Sequence, residues 1–206
     1  MIRCVYCYPQ PDLIVHETQN LRVVVDPFPI CVGHVLVLSK KHYGCIGELT
    51  INQIKELQDM ADVLTQYTKE QFGHFISFEH GRAGICAATH GALCVHMHLH
   101  VLPAQIDIVK ALADQYSPLK IKKLDNLPKQ FHGFGEYIFY HNQHDRFCFL
   151  LNSKPIPPHY LRTLITHARG EPHLSNWEQY QAPEIVNRNM QYKTQLKSYL
   201  EAHIPR

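Results

Sequence analysis

The chain contains no apolar run near the roughly 18 residues that a membrane helix needs, so no membrane span is expected. Its opening, MIRCVYCYPQ, has no apolar signal core, which points to the cytoplasm. Charge of one sign is also missing. Lys and Arg number 20 against 18 Asp and Glu, a net charge of +2, too little by itself to imply a nucleic-acid or membrane surface. Repeats and low-complexity tracts are absent. The seven cysteines are an odd number, which fits thiols or metal ligands better than a disulfide framework. There is one tryptophan, Trp177, and a lone Trp more often packs than stacks a ligand. What is present is a core-forming 45% of hydrophobic residues, and sixteen histidines.

The order of elements indicates an α+β fold with a mostly antiparallel sheet. Leu13–Thr18, Leu21–Asp26 and His34–Ser39 read as strands, with a Pro/Gly loop at Pro27–Gly33. A helix follows. Thr50 and Gln53 have capping-box spacing, Ile54, Leu57, Ala61, Leu64 and Tyr67 recur at helical spacing, and Gly73 closes it. Phe75–Glu79 is a fourth strand, His80–Ala92 a Gly/Ala-rich loop, and Leu93–Pro103 a fifth strand. Pro118–Glu136 reads as a basic loop, in which Lys120, Lys122, Lys123 and Lys129 fit a solvated surface better than a phosphate site. Tyr137–Leu151 is a hairpin, followed by helices about Pro158–Arg169 and Pro183–His203. Residues 1 to 105 form the core, and 106–206 an extension packed on it.

The chemistry concentrates in CVHMHLHVLP, Cys94 to Pro103. On a strand Val95, Met97, Leu99 and Val101 share one face, and His96, His98 and His100 the other, about 6.5–7 Å apart at the backbone. In a chain this rich in histidine such a triplet arises by chance roughly one time in ten. Three readings stand. The triplet is a solvated sheet face; or it holds a zinc ion that activates water; or a neutral imidazole attacks phosphorus while its neighbours contact the phosphate.

Other segments add candidates. Val23–His42, VVVDPFPICVGHVLVLSKKH, places Asp26 at a strand end, Gly33-His34 at a strand start, and Lys40-Lys41-His42 in a turn. Taken singly, Asp26 reads as a turn cap before proline, and His34 as a partly buried strand histidine. CVYC, Cys4 to Cys7, is half a tetrahedral metal site. No helix start follows it to lower a thiol pKa, which disfavours a redox role.

Together these motifs resemble the histidine-triad (HIT) family of nucleotide hydrolases and transferases, in its order and near its spacing, over about residues 4–105. FEHG (Phe78–Gly81) and Pro158–Tyr180 resemble a HIT-like branch with a long loop before the triad and a C-terminal tail. The resemblance implies that His98 attacks an α-phosphate and becomes nucleotidylated. It implies that the His96 carbonyl orients His98, that His100 contacts the phosphate, that His34 lines the site and that Asp26 binds the ribose. It implies a structural zinc on Cys4, Cys7, His42 and His96, a nucleotide or nucleotide-conjugate substrate, and a homodimer. One departure is clear. The family's Gly-Gln-Ser/Thr segment before the triad, which assists the leaving group, is GALCV here, with Leu93 and Cys94. His80, Arg82, Thr89 and His90 are candidate substitutes. A nucleotide-binding protein without turnover is the reading this departure favours.

Overall fold

A computed structural model describes residues 4–81, 96–151, 156–157, 159–176 and 182–204. Within them, Leu21 to Ser39 sets the frame. β2 (Leu21–Val25) and β3 (Val35–Ser39) pair antiparallel, Val25 opposite Val35 and Leu21 opposite Ser39. β1 (Ile14–Glu17) adds on the outer side of β2. The β1–β2 turn is pinned from above by Glu56, whose carboxylate accepts the Thr18 hydroxyl, the Asn20 N–H at 3.1 Å and the Asn20 side-chain amide at 2.6 Å.

Glu56 lies on α1 (Ile51–Phe72), which starts as the spacing predicts. Thr50 accepts the Gln53 N–H, and Gln53 reaches back to the Thr50 N–H. Gly73, at φ 80°, ends it in the left-handed conformation that favours glycine. β4 (Ile76–Gly81) and β5 (His98–Leu102) come next, and β5 lies between β3 and β4. β6 (Ser117–Ile121), β7 (Tyr137–His141) and β8 (Arg146–Leu150) continue the same sheet in the order β1-β2-β3-β5-β4-β7-β8-β6, all antiparallel. The α+β class with an antiparallel sheet is therefore the observed one.

Both sheet faces are covered, by different elements. Val23, Val35, Val37, Leu99 and Val101 face α1 together with α5 (Pro183–His203). Phe78, Leu102, Ile138 and Tyr140 face Leu112 of α2 (Val109–Ala113) and Leu161 and Ile165 of α4 (Tyr160–Ala168). The triad strand thus alternates as expected: Leu99 and Val101 enter the α1 side, while His98 and His100 lie on the other.

The structure corrects the reading of Pro118–Glu136 as a loop. It contains most of β6 and all of α3 (Asn126–Phe134). Its two prolines are in tolerated places. Pro118 lies on the sheet edge, and Pro128 in the first turn of α3, where a missing N–H costs nothing. Helix α2 was not foreseen. The fifth strand is shorter than expected: His96 and Met97 precede it, and the Met97 N–H donates to Tyr43 O at 2.7 Å instead of joining the ladder. The helix expected about Pro158–Arg169 spans Tyr160–Ala168, and Pro183–His203 is a helix as read. Arg82, Thr89, His90, Leu93, Cys94 and Trp177 lie outside the described residues.

Gly81 fixes the meeting of β4 and β7. A Cβ there would lie 2.3 Å from the Tyr137 ring. Gly81→Ala is expected to cost about 1–3 kcal/mol, read as a lower urea midpoint with an unchanged slope.

Candidate active site

His98 is held by its own strand. Its Nδ1 lies 2.6 Å from the carbonyl oxygen of His96. A carbonyl only accepts, so Nδ1 carries the proton, and Nε2 keeps its lone pair. Burial lowers the pKa of His98, against the pull of that bond and of Asp26, which keeps the ring neutral. Tyr6 stacks on the ring, 5.2 Å between centroids and 21° between planes.

His100 is set in the opposite tautomer. Its Nδ1 lies 2.9 Å from Nε2 of His34. His34 is fully buried, and its own Nδ1 accepts the N–H of Ile30 at 3.1 Å. The proton of His34 is therefore on Nε2 and is donated to His100 Nδ1, so His100 carries its proton on Nε2. Burial pushes His34 down to about 4, with Asp26 pulling the other way, and holds His100 well below its ordinary value. Phe78 stacks on His100, 4.3 Å away and 11° from parallel. Two neutral imidazoles on one face thus present unlike atoms: a lone pair on His98 and an N–H on His100.

Asp26 is buried. Its Oδ1 accepts the Phe28 N–H at 2.7 Å, and its Oδ2 lies 3.4 Å from His34 Nδ1. The turn-capping role foreseen for it is present. His34 differs from its reading as a partly buried histidine: it lies wholly inside and reaches outward only through His100.

His96 turns away from the other two. Its Nε2 donates to Ser39 O at 2.9 Å, which leaves the Nδ1 lone pair free to ligate. That atom lies 3.6 Å from Cys4 Sγ, 3.5 Å from Cys7 Sγ and 3.3 Å from His42 Nδ1. All four donor atoms lie within 4.8 Å of one another. Two sulfurs and two imidazole nitrogens make the composition of a closed tetrahedral metal site. This geometry runs against one metal ion shared by the three triad histidines. The ligating nitrogen of His96 faces the cysteines, and Nδ1 of His98 is committed to a carbonyl.

Residues 9–106 match the HIT domain. That stretch, just under half of the chain, is HIT-like in sequence. Solved structures similar to it include a hypothetical histidine triad nucleotide-binding protein from Sulfolobus tokodaii, 18% identical, covering 64% of this chain and 97% of that one, with a TM-score of 0.39. A HIT family member from Bacillus subtilis is 18% identical, with 50% and 73% of the two chains covered and a TM-score of 0.40. A zinc-bound histidine triad family protein from Mycobacterium smegmatis is 20% identical, with 50% and 75% covered and a TM-score of 0.35.

Residues beyond the matched stretch also enter the site's frame. Arg162 of α4 donates from Nη1 to Phe28 O at 2.8 Å and from Nε to Leu174 O at 2.9 Å, tying the turn after Asp26 to α4. Its charge is felt at His34 and His100, and Asp26 offsets its burial. His80 Nε2 accepts the Leu161 N–H at 3.2 Å, so this candidate for leaving-group assistance is tied to the start of α4. Sequence reasoning gave no role to Tyr6, Phe78 or Arg162. Tyr6 sits inside CVYC and Phe78 inside FEHG, and those two motifs were the available signals.

His34 makes stability depend on pH. The unfolded ring takes a proton near its ordinary 6.5, and the folded one only near 4, so acidification through that window favours unfolding. Glu79 works in the opposite sense, since burial pushes its carboxyl up to about 8 and its contribution is lost as pH rises. Comparing wild type with His34→Gln cancels Glu79. Urea unfolding at pH steps should show wild type losing up to about 3 kcal/mol more than the variant across the window.

Proposed function

We propose that the protein is a nucleotide hydrolase or nucleotidyl transferase acting at an α-phosphate through His98. The observation that carries this is the pair of opposed tautomers. In a nucleophile the lone pair must face the substrate while the far nitrogen holds its proton; the bond to His96 O meets the second condition and leaves Nε2 available for the first. Nε2 attacks phosphorus, the P–N bond forms, and the bond to the leaving group breaks with its electron pair. Water or another acceptor then displaces His98, which restores the lone pair. Throughout, the Nε2–H of His100 faces a non-bridging oxygen and stabilises the charge that builds there. Asp26 has acceptor capacity left for ribose hydroxyls after capping its turn.

The ion that fits Cys4, Cys7, His42 and His96 is zinc, in a structural role. When bound it neutralises two thiolates and ties the N-terminal segment to the triad strand. His96 then serves both centres: its ring belongs to the metal site, and its carbonyl holds the nucleophile. The substrate is a nucleotide or nucleotide conjugate, and the working unit a homodimer. No helix among the described residues is long and apolar enough to cross a membrane.

His98→Ala should lower kcat/KM on an adenosine phosphoramidate by at least about a thousandfold with the fold retained. Unchanged turnover would overturn the assignment of the nucleophile. Metal analysis of the same variants separates the centres. Zinc should remain in His98→Ala and be lost from Cys4→Ala; the reverse pattern would place the ion on the triad.

A further inference from the structure

The geometry points to Asn189, in the second half of the chain, as a positioning residue for His34 and, through it, for His100. Asn189 lies on α5 and is 1% exposed. Its Oδ1 accepts the N–H of Gly33 at 2.9 Å, and its Nδ2 donates to the carbonyl of His34 at 2.9 Å. Both ends of one amide are thus spent on two consecutive residues, more than 150 positions away in sequence. Asparagine is a poor helix former, and burying its amide is costly unless both ends are bonded. Packing alone would favour an apolar side chain. The two-ended match to backbone is what an amide adds.

The segment it grips has little freedom to be held otherwise. Gly33 has φ 91°, and a Cβ there would lie 3.0 Å from the Phe72 ring and 3.1 Å from Pro103. The His34 N–H donates to Cys31 O at 3.2 Å, and the Asp26 N–H donates to His34 O at 3.2 Å. Residues 30–34 therefore move as one turn, and Asn189 is its anchor on α5. If the anchor goes, the His34 ring shifts against His100. A displacement of a few tenths of an ångström lengthens the bond from His34 Nε2–H to His100 Nδ1, and the proton of His100 is then no longer confined to Nε2. The consequence for catalysis rests on the nucleotide reading above; the clamp itself does not.

Two variants of the full, metal-loaded chain test this. Asn189→Ala removes both bonds. Asn189→Asp keeps an acceptor for Gly33 and removes the donor to His34. Long-range proton–nitrogen NMR of the histidine rings reads the tautomers directly. Wild type should show His34 and His100 protonated on Nε2 and His98 on Nδ1. In both variants His100 should become a mixture, while His98, held by His96 O, stays as it was. Turnover of an adenosine phosphoramidate should lose roughly tenfold or more in kcat with little change in KM. Folded variants with wild-type tautomers at His34 and His100 would overturn the proposal. So would failure of both variants to fold, since Asn189 would then be a purely structural contact. Absence of turnover in wild type, with the His100 shift intact in the variants, would instead count against the nucleotide reading alone.

Discussion

One hydrogen bond, from His98 Nδ1 to the carbonyl of His96 two residues earlier, underlies the whole candidate site. A histidine ring in water exchanges its proton between two nitrogens, and only one of the two neutral forms offers a lone pair in a given direction. A backbone carbonyl on the same strand settles the choice permanently, at 2.6 Å, without a second titratable group. Burial completes the effect by holding the ring neutral. The acceptor is a main-chain atom, so its position is only as firm as residue 96, and that residue is fixed three ways. Its Nε2 is bonded to Ser39, its Nδ1 faces Cys4, Cys7 and His42, and the next residue is bonded to Tyr43.

His100 needs the other tautomer, and the fold reaches it through the interior. The chain from the Ile30 N–H to His34, and from His34 to His100, passes one donor inward and one outward at each ring. Ile30 and His34 are buried and His100 is half-buried, so the relay runs from the interior outward. The antiparallel register makes the layout possible. Leu36 and Phe78 lie opposite His100 on either side, and Leu38 lies opposite His98. The second half of the chain adds three strands to the same sheet and packs α2 and α4 against Phe78, Leu102, Ile138 and Tyr140, on the side of the sheet that carries the histidines. It reaches the frame of the site with Arg162 and Asn189.

Much of the fold was legible in the sequence because its signals are local. Thr50, Gln53 and Gly73 mark both ends of α1 by side-chain and backbone chemistry alone. The alternation of Met97, Leu99 and Val101 with His98 and His100 was equally plain. β6 and α3 were not legible, since an edge strand carries little apolar alternation and prolines obscured both elements. In the site, Cys4, Cys7, His42 and His96, the set that the family resemblance implied, lie grouped together. The His96 carbonyl on His98 was a role the family resemblance implied, but the tautomers of His34 and His100 did not follow from the sequence. They depend on which backbone groups reach His34, and Ile30 and Asn189 carry no motif. The stacking of Tyr6 on His98 was hidden for the same reason, as it is a product of tertiary approach between segments more than 90 residues apart.

The central claim is that His98 bonds covalently to phosphorus through Nε2. It is tested most directly by trapping the intermediate. Rapid mixing with an adenosine phosphoramidate, quenching at high pH where phosphorus–nitrogen bonds survive, and peptide mapping should give one adduct of adenylate mass on His98. Phosphorus NMR of the adduct should report attachment at Nε2. Turnover with no adduct at any quench time, or an adduct on another residue, would contradict the account.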